Sequence, residues 1–548
     1  MGKKKNNSSY KTEKLALPEA FLAQMRELLR EEDYERFLES YAHPRRAGLR
    51  RNPLKTRADG FAEAMPFPMR RLDSPLLGKE DVYVYGESVE GEIREEESTE
   101  GYVRQAGSVK EAARGESTQG EAPGKHPYHE AGAYYIQEPS ATAVVPMLWG
   151  EESADREGLR VLDLCAAPGG KATQLAAAMR GRGLLVANEP HPARAKILSE
   201  NVERMGVRNC VVLNENPAHL SCIFPVFFDK ILVDAPCSGE GMFRKNSDAI
   251  GEWSPERVAL CADRQREILR EAALMCREGG MIVYSTCTFN RTENEENVAL
   301  FLKEHPQFHL CRILREFPHK TVEITFDEDG GEKERRVCES VGEGHFAALL
   351  RRRAPRKRCG ANPKALGDLS SGTEPKALGN ISCGERGNKE YHAKDRRARA
   401  ELAEAIEAFE NFAKETLTGE TLAEIKNSSY RYELFGKQLY LTPTEMLPLD
   451  GLRVLRPGLA LGEKRKGRWL PNHALALALR ESEVLKSIVI SEKDAARYIH
   501  GETLTFPSEE NEGWLLLCTG EKGQTFSLGW GKLVNGSIKN HYPKGLRK

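Results

Sequence analysis

Between residues 18 and 41 the apolar positions recur at helical spacing. Phe21, Met25, Leu28 and Leu29 share one face, then Tyr34, Phe37, Leu38 and Tyr41 share the next, which predicts two short helices. Pro44 ends that pattern. The stretch 48–55, GLRRNPLK, is basic, and it reads either as a solvated loop or as an RNA contact. From about residue 86 to 125 the chain turns rich in Glu, Gly and Ser and poor in apolar residues. Such a segment buries too little surface to offset its ordering entropy, so a disordered insertion is expected. Order should resume near His126, with YYIQEPSATAVVPML (134–148) leading into the centre of the chain.

The centre alternates short apolar runs with helical stretches. Runs at 161–164, 184–188, 211–214, 230–234 and 281–285 predict five strands, and 171–179, 193–205 and 255–276 predict helices between them. This is the α/β pattern of a parallel sheet flanked by helices, which binds ligands outside the carboxyl ends of its strands. The first strand breaks into Cys165-Ala166-Ala167-Pro168-Gly169-Gly170-Lys171. Small residues and glycines let the backbone approach a ligand, so a strand, glycine turn and helix form the opening unit of a nucleotide-type cofactor site. The turn is neither a P-loop nor GxGxxG, because Ala172 follows the lysine where Ser or Thr would hold magnesium.

Beyond Arg351 the run RRRAPRKR opens a low-complexity stretch with a near repeat, PKALG at 363–367 and 375–379, read as a flexible linker. An amphipathic helix near 400–414 begins one further unit, and a last unit starts near Leu485. No acid follows Glu521, while Lys522, Lys532, Lys539, Lys544, Arg547 and Lys548 interleave with Trp530, His541 and Tyr542. This segregated charge reads as a nucleic-acid face or, more plainly, as a solvated basic tail.

Composition narrows the class. The chain has 548 residues, room for about three or four domains. Lys plus Arg number 81 against 82 Asp plus Glu, so any nucleic-acid surface must come from local segregation of charge. No apolar run approaches the roughly 18 to 20 residues of a membrane helix, and the start MGKKKNNSSY lacks the apolar core of a secretory signal. The twelve cysteines show no CxxC pair or zinc-like spacing, which favours free thiols in a reducing cytoplasm and no metal. Nothing calls for an obligate oligomer, and a monomer is expected.

The candidate chemistry sits at the strand ends. Glu189 closes the second strand twenty residues beyond Gly169, where an acid in this topology accepts hydrogen bonds from ribose hydroxyls; a surface Glu ending a strand is the plain alternative. Asn216, near the end of the third strand, is a weaker candidate for an adenine contact. Cys237 and Cys287 each follow a strand by a few residues, in DAPCSG and STCT. A buried thiol is usually an inert small hydrophobe. Two thiols at neighbouring strand ends beside Asp234 point instead to a nucleophile and a helper. Asp234, as an anion, is poorly suited to lowering a thiol pKa and better suited to binding a polar substrate edge.

Taken together, CAAPGGK (165–171), DAPCSG (234–239) and STCT (285–288) resemble the NOL1/NOP2/Sun family of RNA cytosine-5 methyltransferases. The opening LPEAFLAQM and the tail WGKLVNGSIKNHYPKGLR are similar to its bacterial RsmF branch. The resemblance covers the ends and the centre and fails over 86–125 and 356–395. It implies a Rossmann-like class I methyltransferase domain at 128–355, after an N-terminal RNA-binding region (1–85) and the insertion (86–127). A linker (356–395), a first C-terminal domain (396–480) and a PUA-like RNA-binding domain (481–548) would follow. It implies S-adenosylmethionine as cofactor and small-subunit rRNA, or the small ribosomal subunit, as partner. Cys165, Ala166, Ala167, Pro168, Gly169, Gly170, Lys171, Glu189, Asn216 and Asp234 would hold the cofactor or shape its pocket. Asn216 departs from the family pattern, which more often has Asp there. Cys287 would be the nucleophile, Cys237 the thiol that helps release product, and Lys171 would pair with Asp234 at the edge of the target base. Two alternatives remain open: the same chemistry on tRNA or large-subunit rRNA, and a catalytically silent assembly factor. An amino-methylating enzyme is disfavoured, because DAPC lacks the Asn/Asp-Pro-Pro-aromatic loop of that chemistry.

Overall fold

The computed structural model describes residues 16–43, 46–78, 80–86, 122–149, 158–327, 329–338, 340–354, 386–427, 429–505 and 512–547. Residues 87–121 of the expected insertion and most of the expected linker lie outside these residues, whereas the insertion's expected end is ordered, with a 3-10 turn at Pro123–Lys125 and a helical turn starting at Pro127. The two N-terminal helices form as the apolar spacing predicts, at Glu19–Leu28 and Glu31–Ser40. They bury Phe21, Met25, Tyr34 and Phe37 against Phe243, Trp253, Phe289 and Phe317 of the central domain.

A four-stranded antiparallel sheet follows, built from β1 (Ala47–Arg51), β2 (Met69–Arg71), β3 (Val82–Tyr85) and β4 (Tyr134–Ile136) in the order β2-β3-β1-β4. Because β4 pairs with β1, with Leu49 opposite Ile136, the chain on both sides of residues 87–121 belongs to one sheet. The basic stretch 48–55 is neither a solvated loop nor an open RNA surface. Arg50 is 0% exposed and donates to Gln137 Oε1 (3.2 Å), Gly170 O (3.2 Å) and Thr173 Oγ1 (3.0 Å). Arg51 pairs with Asp81 at 2.5 Å, and Lys55 donates to the carbonyls of Ala131 (2.6 Å) and Arg204 (3.3 Å). A buried cation is tolerable only with such partners, and here they fasten the N-terminal sheet to the central domain.

The predicted strands appear as β5 (Arg160–Asp163), β6 (Leu184–Asn188), β7 (Cys210–Leu213), β8 (Phe228–Asp234) and β9 (Cys276–Thr286). They are joined by helices Gly170–Ala178, Pro192–Arg204 and Pro255–Met275. The five strands are mutually parallel, and their near-continuous apolar burial is that of a sheet covered on both faces. Four more strands, β10 (Phe308–Phe317), β11 (Lys320–Phe326), β12 (Glu332–Cys338) and β13 (Phe346–Arg352), extend it antiparallel beyond β9.

A long helix, Arg386–Thr416, begins well before the expected start at residue 400. The C-terminal part continues through β14 (Tyr430–Phe435), β15 (Gln438–Pro443), β16 (Val454–Arg456), β17 (Leu459–Arg465) and β18 (Arg468–Pro471). Of these, β16 pairs antiparallel with β7 and completes a ten-stranded sheet, order β12-β11-β10-β13-β9-β8-β5-β6-β7-β16. The first C-terminal unit is therefore stitched into the central sheet by main-chain hydrogen bonds. The last unit packs β19 (Ser487–Ile490), β20 (Leu504–Thr505), β21 (Gly513–Thr519), β22 (Phe526–Val534) and β23 (Ser537–Asn540) into one sheet. Here the expected aromatic and basic face is corrected in its aromatic part, while Lys539, Lys544 and Arg547 stay exposed. Trp530 and Tyr542 are core residues, 1% and 3% exposed: Trp530 packs edge-on against Phe412 and donates to Asn472 O (2.9 Å), and Tyr542 packs against His473 and Tyr498. Lys522 donates to Glu63 O (2.6 Å), so that cation docks the last unit on the N-terminal region.

Replacing Arg50 by Ala strands buried acceptors at Gln137, Gly170 and Thr173. A loss of about 2–4 kcal/mol is expected, read as an earlier midpoint in chemical denaturation relative to an exposed control such as Arg70→Ala.

Candidate active site

The glycine turn is built as the small residues allow. Gly169 adopts φ +115° as the N-terminal cap of the helix Gly170–Ala178, a conformation that excludes most side chains. A Cβ on Gly170 would lie 3.2 Å from Gln137 and 3.3 Å from Tyr135, so the turn sits close under β4. Above the turn lies a cavity of about 390 Å³, lined by Cys165, Ala166, Ala167, Pro168, Gly170, Lys171, Asp163, Asp234, Cys287 and His345. The N-terminal sheet supplies its roof through Arg46, Gly48 and Tyr85.

One wall of the cavity is the β8–β9 pair. The register sets Asp234 opposite Ser285, and each strand then runs into a cysteine loop. The two sulfurs, Cys237 Sγ and Cys287 Sγ, lie 3.3 Å apart, far beyond the roughly 2.05 Å of a disulfide. The hydrogen bond to Cys287, with burial added, pushes the Cys237 thiol well above the usual thiol range. The two thiols thus share one S–H···S contact, in which either sulfur can be the donor. Cys165 lines the same cavity, but burial likewise holds it as a neutral thiol.

Lys171 reaches across the sheet to Asp234, Nζ to Oδ2 at 2.9 Å. Burial alone would lower the ammonium, but the charge and hydrogen bond of Asp234 outweigh it and leave the pKa raised. Burial likewise penalises the Asp234 carboxylate, and Lys171 with the Ser285 hydroxyl (2.7 Å to Oδ1) more than compensates, lowering its pKa. Both members of the pair are therefore charged, and both face the Cys287 cavity. Beside them, Asp163 at the end of β5 is 0% exposed with neither carboxylate oxygen hydrogen-bonded. Burial, then the neighbouring Asp234, drives its pKa well up. An orphaned carboxylate on a cavity wall is a ready partner for a ligand's cationic or donor group.

The other expected residues are placed unequally. Glu189 is buried at the end of β6, accepting from His191 N–H (3.0 Å) with Arg194 at 3.4 Å. Asn216 is exposed, outside the cavity lining, and its side chain caps the helix Pro217–Ile223 by accepting from Ala218 N–H (3.0 Å). That cap accounts for its position after β7. Sequence reasoning passed over Asp163 and His345, although an acid closing the first strand and a lone histidine heading the apolar run FAALL were visible signals.

The cysteine loops are held from behind. Glu293 Oε2 accepts from Ser238 N–H (3.0 Å) and Gln265 Nε2 (2.7 Å), and Gln265 also donates to Pro236 O (3.0 Å). Glu240, 0% exposed, accepts from Gln24 Nε2 (2.9 Å), Trp253 Nε1 (3.1 Å) and Phe289 N–H (2.8 Å). Gly241 N–H donates to the Cys287 carbonyl (2.9 Å), so one loop grips the backbone of the other.

Comparison with known proteins supplies the family. The model for 16S rRNA methyltransferase RsmB/F matches residues 153–351. Three others match alongside it: the N-terminal domain of 16S rRNA methyltransferase RsmF (17–78), the RsmF rRNA methyltransferase first C-terminal domain (411–479) and the methyltransferase RsmF PUA domain (485–548). A ribosomal RNA small subunit methyltransferase F of Escherichia coli O1:K1 / APEC is 33% identical over 542 residues, 96% of each chain. Its Shewanella loihica counterpart is 31% identical over 426 residues, 76% of this chain and 78% of that one. The match to the Salmonella heidelberg protein, 38% identical over 289 residues, spans about half of each chain, 52% and 53%. Among solved structures, NSun6 from Pyrococcus horikoshii with SFG has a TM-score of 0.44 at 21% identity, covering 62% of this chain and 99% of that one.

Burial pushes the Glu293 carboxyl up to about 7. Its folded pKa lies above the unfolded value, so the folded protein holds more protons and stability falls as pH rises from about 4.5 to about 7. Glu293→Gln should flatten that fall, measured as the denaturation midpoint against pH; an unchanged slope would mean that Glu293 stays ionised.

Proposed function

The chain belongs to the RsmF family of ribosomal RNA small subunit methyltransferases, and from that premise we propose that it forms 5-methylcytosine in 16S rRNA. The observation that carries the reading is the pair of sulfurs 3.3 Å apart at the ends of adjacent parallel strands, in one cleft with a charged Lys171–Asp234 pair. A single chain supplies every one of these groups. An rRNA substrate places the work in the cytoplasm, and among the described residues no helix is long and apolar enough to cross a membrane.

S-adenosylmethionine, when bound, supplies an electrophilic methyl group on a sulfonium. The residues present fit it: the glycine turn allows close approach, and the orphaned Asp163 carboxylate offers a partner for the amino group of its methionine part. Residues Cys165 to Lys171, with Glu189 on the next strand, would hold the rest. Asn216 caps a helix through Oδ1 and, like Glu189, lies outside the cavity lining.

Carbon 5 of cytosine is too weak a nucleophile to take a methyl group unaided. Once its proton has been lost to water, the Cys287 thiolate forms a bond to carbon 6, and the displaced electron pair moves onto the ring, leaving carbon 5 nucleophilic. Lys171 faces that developing negative charge, and Asp234, ionised, accepts from the exocyclic amino group that distinguishes cytosine from uracil. Once carbon 5 is methylated, its proton leaves to water and the carbon 5–carbon 6 double bond reforms. The sulfur–carbon bond breaks and Cys287 departs as a thiolate, with the Cys237 thiol 3.3 Å away able to donate its S–H to it. The target base must first leave its stack, at about a few kcal/mol in a duplex. Exposed Arg46 and Lys245 at the rim of the cavity suit the phosphates of such an extruded nucleotide.

Small ribosomal subunits lacking this modification, incubated with labelled methyl donor, should gain label on cytosine, with Cys287→Ala lowering the rate by at least about 1,000-fold. Cys237→Ala should accumulate a covalent protein–RNA adduct on a denaturing gel, and Cys287→Ala should form none. An adduct from Cys287→Ala would reverse the two roles. Label on tRNA alone would keep the chemistry and reject the 16S substrate.

A further inference from the structure

One side chain in the cleft has no part in the reaction as described. His345, buried at the head of β13, places Nε2 3.3 Å from Lys171 Nζ and Nδ1 3.3 Å from Ser140 Oγ. An ammonium has three donors and no acceptor, so Nε2 must accept and the ring proton must sit on Nδ1. The imidazole is accordingly neutral: burial, then the charge of Lys171, pushes its pKa down to about 4. Ser140 Oγ accepts a hydrogen bond from Nδ1–H and donates its own to Glu138 Oε2. Glu138 is pinned in turn by the N–H groups of Ser140 (3.0 Å), Ala141 (3.0 Å) and Glu343 (2.9 Å). The donors run one way, from Lys171 through His345 and Ser140 to Glu138.

This chain constrains Lys171. One N–H goes to Asp234 and a second to His345. An ammonium held by one partner still turns about its Cε–Nζ bond, whereas two partners fix the direction of the third hydrogen. Lys171 lines the same cavity as Cys287. We propose that His345 is a positioning residue that locks the Lys171 ammonium with its free N–H aimed at the target base, on the side where charge gathers after Cys287 adds. The proposal rests on the cytosine methyltransferase reading and adds to it an element outside the motifs that carry the cysteines, the lysine and the aspartate. A histidine that merely filled the core would affect stability, and substrate and cofactor affinity with it, but not the turnover of enzyme that is folded and saturated.

The test compares the full-length enzyme with its His345→Gln, His345→Asn and His345→Phe variants. Glutamine carries an amide oxygen near the Nε2 position, asparagine only near Nδ1, and phenylalanine keeps the ring without an acceptor. His345→Gln should hold kcat within about 3-fold, while Asn and Phe should lose roughly 10- to 100-fold, as expected of a misaligned catalytic group. KM for RNA and cofactor affinity by calorimetry should not change. In a Cys237→Ala background the rate of adduct accumulation should fall by the same factor, which puts the effect at sulfur addition. An active wild type beside a His345→Phe variant of undiminished kcat overturns the role of His345 alone. So does a His345→Gln variant as impaired as His345→Phe. A wild type that transfers no methyl group overturns the methyltransferase reading, and this inference with it.

Discussion

The parallel pairing of β8 with β9 is the constraint from which the site follows. With Asp234 opposite Ser285, the two strands end level, and the loops beyond them carry Cys237 and Cys287 to within 3.3 Å. A slip of one residue would turn Asp234 to the other face of the sheet and separate it from Lys171. The register is held by the apolar residues of both strands, among them Ile231, Val233, Ile282 and Tyr284, buried under the helix Pro255–Met275. The chemistry at the strand ends is thus set by packing some 10 Å deeper in the sheet, since each residue of strand adds about 3.3 Å.

Around that register the protein spends buried charge on position. Arg50 ties the N-terminal sheet to the glycine turn, and Glu240 ties the N-terminal helix to both cysteine loops through Gln24 and Phe289. Strand β16 ties the first C-terminal unit to the far edge of the central sheet. Burying ionised groups is costly unless every one is partnered. Their concentration at the joints between units explains how the appended domains are held at fixed positions on the central domain. The N-terminal region is part of the cavity rather than a tether beside it, because Arg46, Gly48 and Tyr85 form its roof.

The amino-acid sequence determined a good deal by local rules. Five strands, the helices between them and the glycine turn follow from periodicity and small residues, because a parallel strand buried on both faces must be a short apolar run. Cys237, Cys287 and Asp234 were legible as strand-end residues and Lys171 as the close of the glycine turn, and the fold brings Cys237 to Cys287 and Lys171 to Asp234. Only the tertiary structure decided which of the remaining polar residues share the site. Asn216 follows its strand at the expected spacing, and there its side-chain oxygen caps the helix Pro217–Ile223. The basic stretch 48–55 and the aromatics of the tail look exposed in sequence, and they are buried because partners distant in the chain, such as Gln137, Asp81 and Asn472, satisfy their polar atoms. An acid closing a strand and a histidine heading an apolar run are visible local features of Asp163 and His345, but they are too common to mark a site, and Glu138 has none. Their meaning is a matter of distance to Lys171 and to an open cavity, a long-range property that a sequence pattern does not encode.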